Sequence, residues 1–347
     1  MKTILKLLLI LSLFVFSYCK KDEIPMDYLF DELPYYLSDT LFYTDGSSRK
    51  ILSGDKIELD SKGILWKSSG YSISRYNPVT EEILPLNYDN FAIWNFYIDS
   101  RDRVWGGGYG SICMFDNDIY KRFYFDNPDV LARSIGEDSE GNIHFNGYEN
   151  GQEYTCDGQS VVRSKPVFAP EDYFISKIFS DKEGTLWYFI DMTPGIEFDN
   201  ETKIVRYHND NDYEMLDTLP TSTSIDMLKY RYHVALDYNN SPVFYFAGMV
   251  GRINSDMKWQ TLWKEDPNDD YINPNMIRVD PEDNVWASLS KHQGDDHKMG
   301  LLKNGIWITE SPDMGVIKDR NSVNDFAFPD NNTVWIATSG GIFEFKK

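Results

Sequence analysis

The sequence is short of cysteine, short of positive charge and almost without long apolar runs. It holds three cysteines in 347 residues. Cys19 sits in the N-terminal segment, which leaves Cys113 and Cys156 as the single pair for a bridge. Lys and Arg number 34 against 55 Asp and Glu, a formal net charge of −21. A surface of that sign repels phosphate backbones and anionic headgroups, so nucleic acid is not an expected partner. One apolar run stands out, Leu7 to Phe16, and it is too short to span a bilayer as a mature helix. Runs at helical spacing are scarce. Also missing are a Gly-rich phosphate loop leading into a helix, a Gly-x-Ser-x-Gly elbow and paired CxxC motifs.

Aromatic residues are abundant, with 23 Tyr, 21 Phe and 9 Trp. Many fall in a short phrase that recurs. It reads DSKGILW from Asp60, DSRDRVW from Asp99, DSEGNIH from Asp138, DKEGTLW from Asp181, DPEDNVW from Asp280 and PDNNTVW from Pro329. A degraded copy, YNNSPVF, runs from Tyr238 to Phe244. Turn-forming residues running straight into β-branched and aromatic ones are what a strand–turn–strand corner requires. The last residues of the copies are Trp66, Trp105, His144, Trp187, Phe244, Trp286 and Trp335, spaced by 39, 39, 43, 57, 42 and 49 residues. The mean step, about 45 residues, is the length of a propeller blade and too long for leucine-rich or ankyrin units. Alternating strands such as DKIELD, YFISKIF and GIFEFKK flank the corners. The expected fold is therefore all-β: a seven-bladed β-propeller of four-stranded antiparallel blades.

In chain order, residues 1–18 read as a targeting segment, with Lys2 and Lys6 as its basic region. The apolar run ends at Phe16-Ser17-Tyr18-Cys19, which resembles the lipobox of bacterial lipoproteins, although Tyr18 stands where that pattern has a small residue. The resemblance implies lipidation of Cys19 and a membrane attachment that rests on the lipid. Loss of Lys2 and Lys6 with the signal takes the net charge from −21 to −23. The following Lys20-Lys21-Asp22-Glu23 resembles the export tract of cell-surface lipoproteins. Residues 19–40 read as a tether, and 41–347 as one propeller. Leu41–Thr44 has no partner in a blade of its own, while the chain ends on a third strand, so the N-terminal strand is expected to complete the last blade and close the ring. Cys113 lies eight residues past Trp105 and Cys156 twelve past His144. Both offsets are even, so both side chains point the same way round the ring and two buried thiols are expected.

The pattern D-x-x-G-x-hydrophobic-Trp followed by T/S-x-G-G-hydrophobic-x-x-aromatic, clearest in TVWIATSGGIFEF, resembles the two-component-regulator propeller repeat. That repeat lines the periplasmic sensor regions of hybrid histidine kinases. The resemblance covers residues 41–347 and implies the fold and a sensing role, which a lipid-anchored single propeller would exert through a partner. Similar propellers also act as lyases and lactonases.

Site candidates come from the ring geometry. The residue five before the first turn position of each blade lies near one end of the inner strand, at a mouth of the channel. Those residues are Asp55, Trp94, Arg133, Ser176, His233, Asn275 and Asn324. Two positions later the ring is apolar: Ile57, Phe96, Ile135, Ile178, Ala235, Ile277 and Phe326. An Arg, a Trp, an acid and amides round one opening suit a sugar or a peptide. His292, Asp295, Asp296 and His297 form a candidate divalent-metal cluster, set against a solvated polar loop. Asn209 to Leu228 reads as an irregular polar insertion. The expected role is an outer-membrane or cell-surface lipoprotein that binds a glycan, peptide or protein partner at the envelope and needs no cofactor. A metal-assisted lyase or lactonase is the enzymatic alternative, and a structural subunit of an envelope complex is the third.

Overall fold

The computed structural model describes residues 36–43, 56–68, 72–84, 86, 88, 91–147, 151–169, 174–191, 202–216, 234–246, 248–264, 271–291, 297–310, 323–338 and 341–346. These residues form seven separate four-stranded antiparallel sheets. No helix occurs among them. In each of the first six sheets the strands follow sequence order from the inside out. The inner strands of blades 1 to 6 are Lys56–Leu59, Asn95–Ile98, Ala132–Glu137, Phe174–Ser180, Val234–Leu236 and Tyr271–Val279. Blade 7 has the inner strand Val323–Asp330 and takes its outer strand, Tyr36–Tyr43, from the other end of the chain.

That outer strand pairs antiparallel with Gly341–Lys346, from Tyr36 opposite Lys346 to Tyr43 opposite Gly341. The closing strand is thus longer than the expected Leu41–Thr44 and starts inside the stretch read as tether. The inner strand of blade 7 also lies against that of blade 1, which completes the circle.

Six of the seven corners are built by an Asp, and blade 7 has Pro329 in its place. In blade 2, Asp99 Oδ1 accepts the backbone N–H groups of Arg101 (2.9 Å) and Arg103 (2.8 Å), and Oδ2 accepts the Trp105 indole N–H at 2.8 Å. Asp60 and Asp280 bind two backbone amides and the indoles of Trp66 and Trp286 in the same way. The fourth corner position needs positive φ, which explains its alternation among Gly, Asn and Asp: Gly63, Asp102, Gly141, Gly184, Asn240 and Asp283 all adopt it.

The same bonds correct the reading of blade 5. Asp237, not Tyr238, is its corner residue, because its Oδ1 accepts the N–H groups of Asn239 and Ser241. Trp286 stands opposite Arg278, and the residue that stands likewise opposite Ala235 is Val243 rather than Phe244. A shift of one residue moves every side chain to the other face. The residues aligned with the two rings are therefore Tyr232 and Val234 in place of His233 and Ala235, and Tyr232 lies outside the described residues.

Apolar side chains pack between blades. Trp286 and Phe326 belong to the layer of blades 6 and 7, Trp105 and Phe145 to that of blades 2 and 3, and Ile57 and Trp335 to the closing layer of blades 7 and 1. Cys113 and Cys156 are free and buried, in two different layers; both point the same way round the ring, as their even offsets imply, and each faces the preceding blade. The stretch read as an insertion after Asn209 is in part regular, since Asp212–Leu216 is the outer strand of blade 4. Its first three residues, Asp212, Tyr213 and Glu214, are all exposed, so no alternating pattern marks it in the sequence.

Removing the closing strand opens one blade edge and unseals the ring. Deleting residues 20–45 should therefore lower stability by a few kcal/mol through lost ladder bonds and apolar contacts, whereas deleting 20–35 should not. Equal melting temperatures for the two truncations would refute the closure.

Candidate functional site

Inner strands run toward the Asp corners, and second strands run back, so the residues five before each corner gather at the opposite mouth. There the ladder breaks in four blades. Pairing skips Ser176 between Ile175 and Lys177, Asn275 between Pro274 and Met276, and Asn324 between Val323 and Asp325. In blade 3 it skips Arg133 and Ser134, between Ala132 and Ile135. A bulge of this kind re-aims a side chain and ends regular pairing. Apart from Ser134, the bulged residues are members of the ring that alignment placed at the channel mouth.

Trp94 is 42% exposed and meets Tyr109, 50% exposed, edge to face at 6.4 Å between centroids. Tyr109 ends the strand that returns to this mouth, and it bridges to Leu131 of the next connection. Arg133 is exposed, and its carbonyl accepts a 2.6 Å bond from Asn95 Nδ2 that ties blade 2 to blade 3. Ser176 Oγ donates to Phe189 O at 3.2 Å and Asn324 is half-buried. Asn275 occupies its bulge, while Asp55 and His233 lie outside the described residues. One pleat deeper, Ile57, Phe96, Ile135, Ile178, Ile277 and Phe326 are all buried.

Next to these levels stands a set of charges that the two aligned rings stepped over. Lys56 and Lys177 lie four before their corners, and Arg278 lies two before its own. Arg278 forms a two-pronged pair with Asp325, Nε to Oδ1 and Nη2 to Oδ2 both at 2.8 Å, and Asp325 Oδ2 also accepts Ile57 N–H at 3.0 Å. Blades 6, 7 and 1 are tied at one carboxylate that is itself fully buried. Burial by itself would lower the Arg278 pKa, but the Asp325 charge and hydrogen bonds raise it. Lys56 Nζ donates to Phe96 O, pairs with Glu58 at 3.2 Å and lies 4.8 Å from the centre of the Phe96 ring. Burial pulls the Lys177 ammonium down to about 7, helped by repulsion from Lys56, Arg278 and Arg133. A register of every inner-strand column would have revealed these cations in the sequence.

Of the metal candidates, His292, Asp295 and Asp296 lie outside the described residues, and His297 opens a strand with its backbone opposite Ser290. Among the described residues no cluster of three or more His, Cys, Asp or Glu is disposed to hold a metal. Asp210 accepts the Tyr207 hydroxyl at 2.7 Å, and His208 lies in a strand.

No protein-family model matches the chain, and no curated protein matches it in sequence. Solved structures do match. A catalytically inactive virginiamycin B lyase from Staphylococcus aureus, bound to quinupristin, is 18% identical with a TM-score of 0.66, over 90% of this chain and 99% of that one. The extracellular domain of a hybrid two-component system from B. thetaiotaomicron is 14% identical with a TM-score of 0.63, over 89% of this chain and 39% of that one. PorZ, a surface component of the type-IX secretion system of Porphyromonas gingivalis, is 16% identical with a TM-score of 0.57, over 85% of this chain and 46% of that one. The likeness is one of fold. Two of these neighbours are extracellular or surface proteins.

His144 takes the Trp position in blade 3 and makes the same corner bond, Nε2 to Asp138 Oδ2 at 3.1 Å. Its Nδ1 meets Glu153 Oε1 at 2.7 Å, and that oxygen also accepts the Tyr188 hydroxyl at 2.6 Å. Burial alone would lower the imidazole pKa, but the Asp138 and Glu153 bonds outweigh it and lift it to about 9. This is a packed corner residue that has become an ion pair. Its folded pKa lies above the unfolded value of about 6.5, so its contribution to stability is complete below about pH 6.5 and is lost as pH rises through about 9. The stability difference between wild type and His144→Phe, measured from pH 6 to 10, should shrink along that window, because every other titrating group is common to both proteins. A difference that does not change with pH would reject the ion pair.

Proposed function

We propose that this protein is a ligand-binding propeller held at the outer face of the envelope by a lipid on Cys19, engaging a glycan or protein partner at the bulged mouth of its channel. The observation that carries this reading is the repeated bulge at Arg133, Ser176, Asn275 and Asn324, beside the exposed Trp94–Tyr109 pair. Regular pairing would satisfy a purely structural ring, whereas bulges turn polar side chains toward an opening. Exposed aromatic rings beside a guanidinium are common binding anchors, because they present apolar area at little cost in side-chain entropy. The likeness to a two-component extracellular domain and to a secretion-system surface component supports an envelope binding role, and the lyase likeness supports only the versatility of the scaffold.

Two measurements test the reading. Cys19→Ala should release the protein from the membrane fraction into periplasm or medium, and unchanged fractionation would defeat the anchor. On an array of envelope polysaccharides and proteins, the mature chain should retain at least one partner. Trp94→Ala and Arg133→Ala should each weaken it at least tenfold with little change in melting temperature. Ile277→Ala should instead lose about 2–5 kcal/mol of stability through its cavity and keep binding. Full binding by both mouth variants would overturn the site, and a stoichiometric divalent ion retained by the purified protein would turn the assignment to the metal-assisted lyase.

A further inference from the structure

Charge is distributed unevenly between the surface and the channel. The chain as a whole carries −21, yet the described inner-strand residues from five to two before the corners hold Lys56, Arg133, Lys177 and Arg278 against Glu58 and Asp325. The cations come from blades 1, 3, 4 and 6, so they converge on the channel from different sides of the ring. Both carboxylates are already engaged, Glu58 with Lys56 at 3.2 Å and Asp325 with Arg278 and the Ile57 amide. Packing does not call for this arrangement. The neighbouring level of the same strands is filled with Ile and Phe, and desolvated like charges oppose each other at a cost in stability. A positive focus inside a negative body is a device for drawing in one anionic group while repelling other acidic surfaces.

The mouth above it is aromatic on the blade 2 side. Trp94 and Tyr109 stand there half exposed, with Tyr124 67% exposed farther out. Arg122 lies between Phe91, 4.1 Å from the ring centre, and Tyr124, at 4.9 Å, with Nε bonded to Ser111 Oγ at 2.8 Å. Aromatic faces next to fixed cations match a ligand that has both an apolar ring face and an acid group.

We propose that the channel takes an acidic saccharide, with a carboxylate or sulfate drawn down toward Lys56, Lys177 and Arg133 and the sugar ring resting on Trp94 and Tyr109. Arg278 stands behind, locked by Asp325, and contributes its field rather than a contact. This rests on the mouth being the binding site and adds the chemical class of the ligand. The bound anion would also offset the repulsion that Lys177 meets from Lys56, Arg278 and Arg133. Lys177 sits at about 7, so an anion that selects its charged form binds more weakly as pH rises through that value.

The test is calorimetric and fluorescence titration of the mature protein with oligogalacturonate, a neutral galacto-oligosaccharide of the same length, poly-glutamate and inorganic sulfate. Oligogalacturonate should bind at least tenfold more tightly than the neutral sugar and than sulfate, and weaken with salt and with pH rising through about 7. Lys177→Met and Arg133→Gln should each reduce its binding at least tenfold. Lys177→Met removes a desolvated charge, so its melting temperature should hold or rise, and Arg133 is exposed, which keeps the second variant foldable. Equal binding of the neutral sugar, preference for poly-glutamate or for sulfate alone, absence of oligogalacturonate binding, or indifference to both cation variants would each overturn the acidic-saccharide assignment. Sensitivity of neutral-sugar binding to Trp94→Ala would in that case leave the mouth reading standing. Loss of oligogalacturonate in the cation variants with full binding in Trp94→Ala would do the reverse.

Discussion

A single carboxylate at six of the seven corners holds this ring together. The Asp that opens the turn accepts two backbone amides and, in blades 1, 2 and 6, an indole N–H from the strand that follows. Hydrogen bonds to a charged group are worth about 1.5–3 kcal/mol each when one is removed. The Asp therefore fixes the turn and also aims a large aromatic into the layer between blades. Departures from the motif are compensated locally. His144 keeps the bond with a different ring, and Val243 gives it up while Arg252 approaches Asp237 at 3.0 Å. In blade 7, Pro329 replaces the Asp and Trp335 turns its N–H to Glu344 at 3.0 Å. Trp187 alone of the marked tryptophans has an indole N–H without a protein partner among the described residues.

Rigid corners at one end leave the other end free to vary. The corner residues spend their polar groups on one another, which suits a face whose task is to hold strands in register. At the far mouth the inner strands bulge, and the side chains there differ from blade to blade: Trp94, Arg133, Ser176, Asn324. The channel between the two ends is not a neutral packing core. Arg278, Asp325 and the Ile57 amide tie three blades together with charge, and Lys56 and Lys177 add positive potential next to them. The cost of those desolvated cations is borne by a ring whose seven apolar layers are otherwise well filled.

The same scaffold appears in a streptogramin-modifying lyase, a two-component extracellular domain and a secretion-system surface component at identities of 14–18%. Such spread follows from the division just described. Corner and layer residues define the fold and can be met by many sequences, while the residues at the far mouth vary from blade to blade. Function has to be argued from those residues, and fold alone is silent on them.

Much of this molecule was legible in its residues. The recurring Asp-to-Trp phrase, its step of about one blade and the unpaired strands at the two ends determined the number of blades, the position of the corners and the closure of the ring, because corner chemistry is local and is written in consecutive residues. The parity of Cys113 and Cys156 determined their burial in separate layers for the same reason. Where the local signal was degraded the reading slipped: Asp237 stands one residue before the assumed start, as its bonds to Asn239 and Ser241 and the register of Val243 opposite Ala235 show. The bulges at Ser176 and Asn324, the Arg278–Asp325 pair and the repulsion between Lys56 and Lys177 were decided by tertiary structure. These groups are far apart in sequence, and their encounter depends on how seven inner strands converge on one axis, which no single blade encodes.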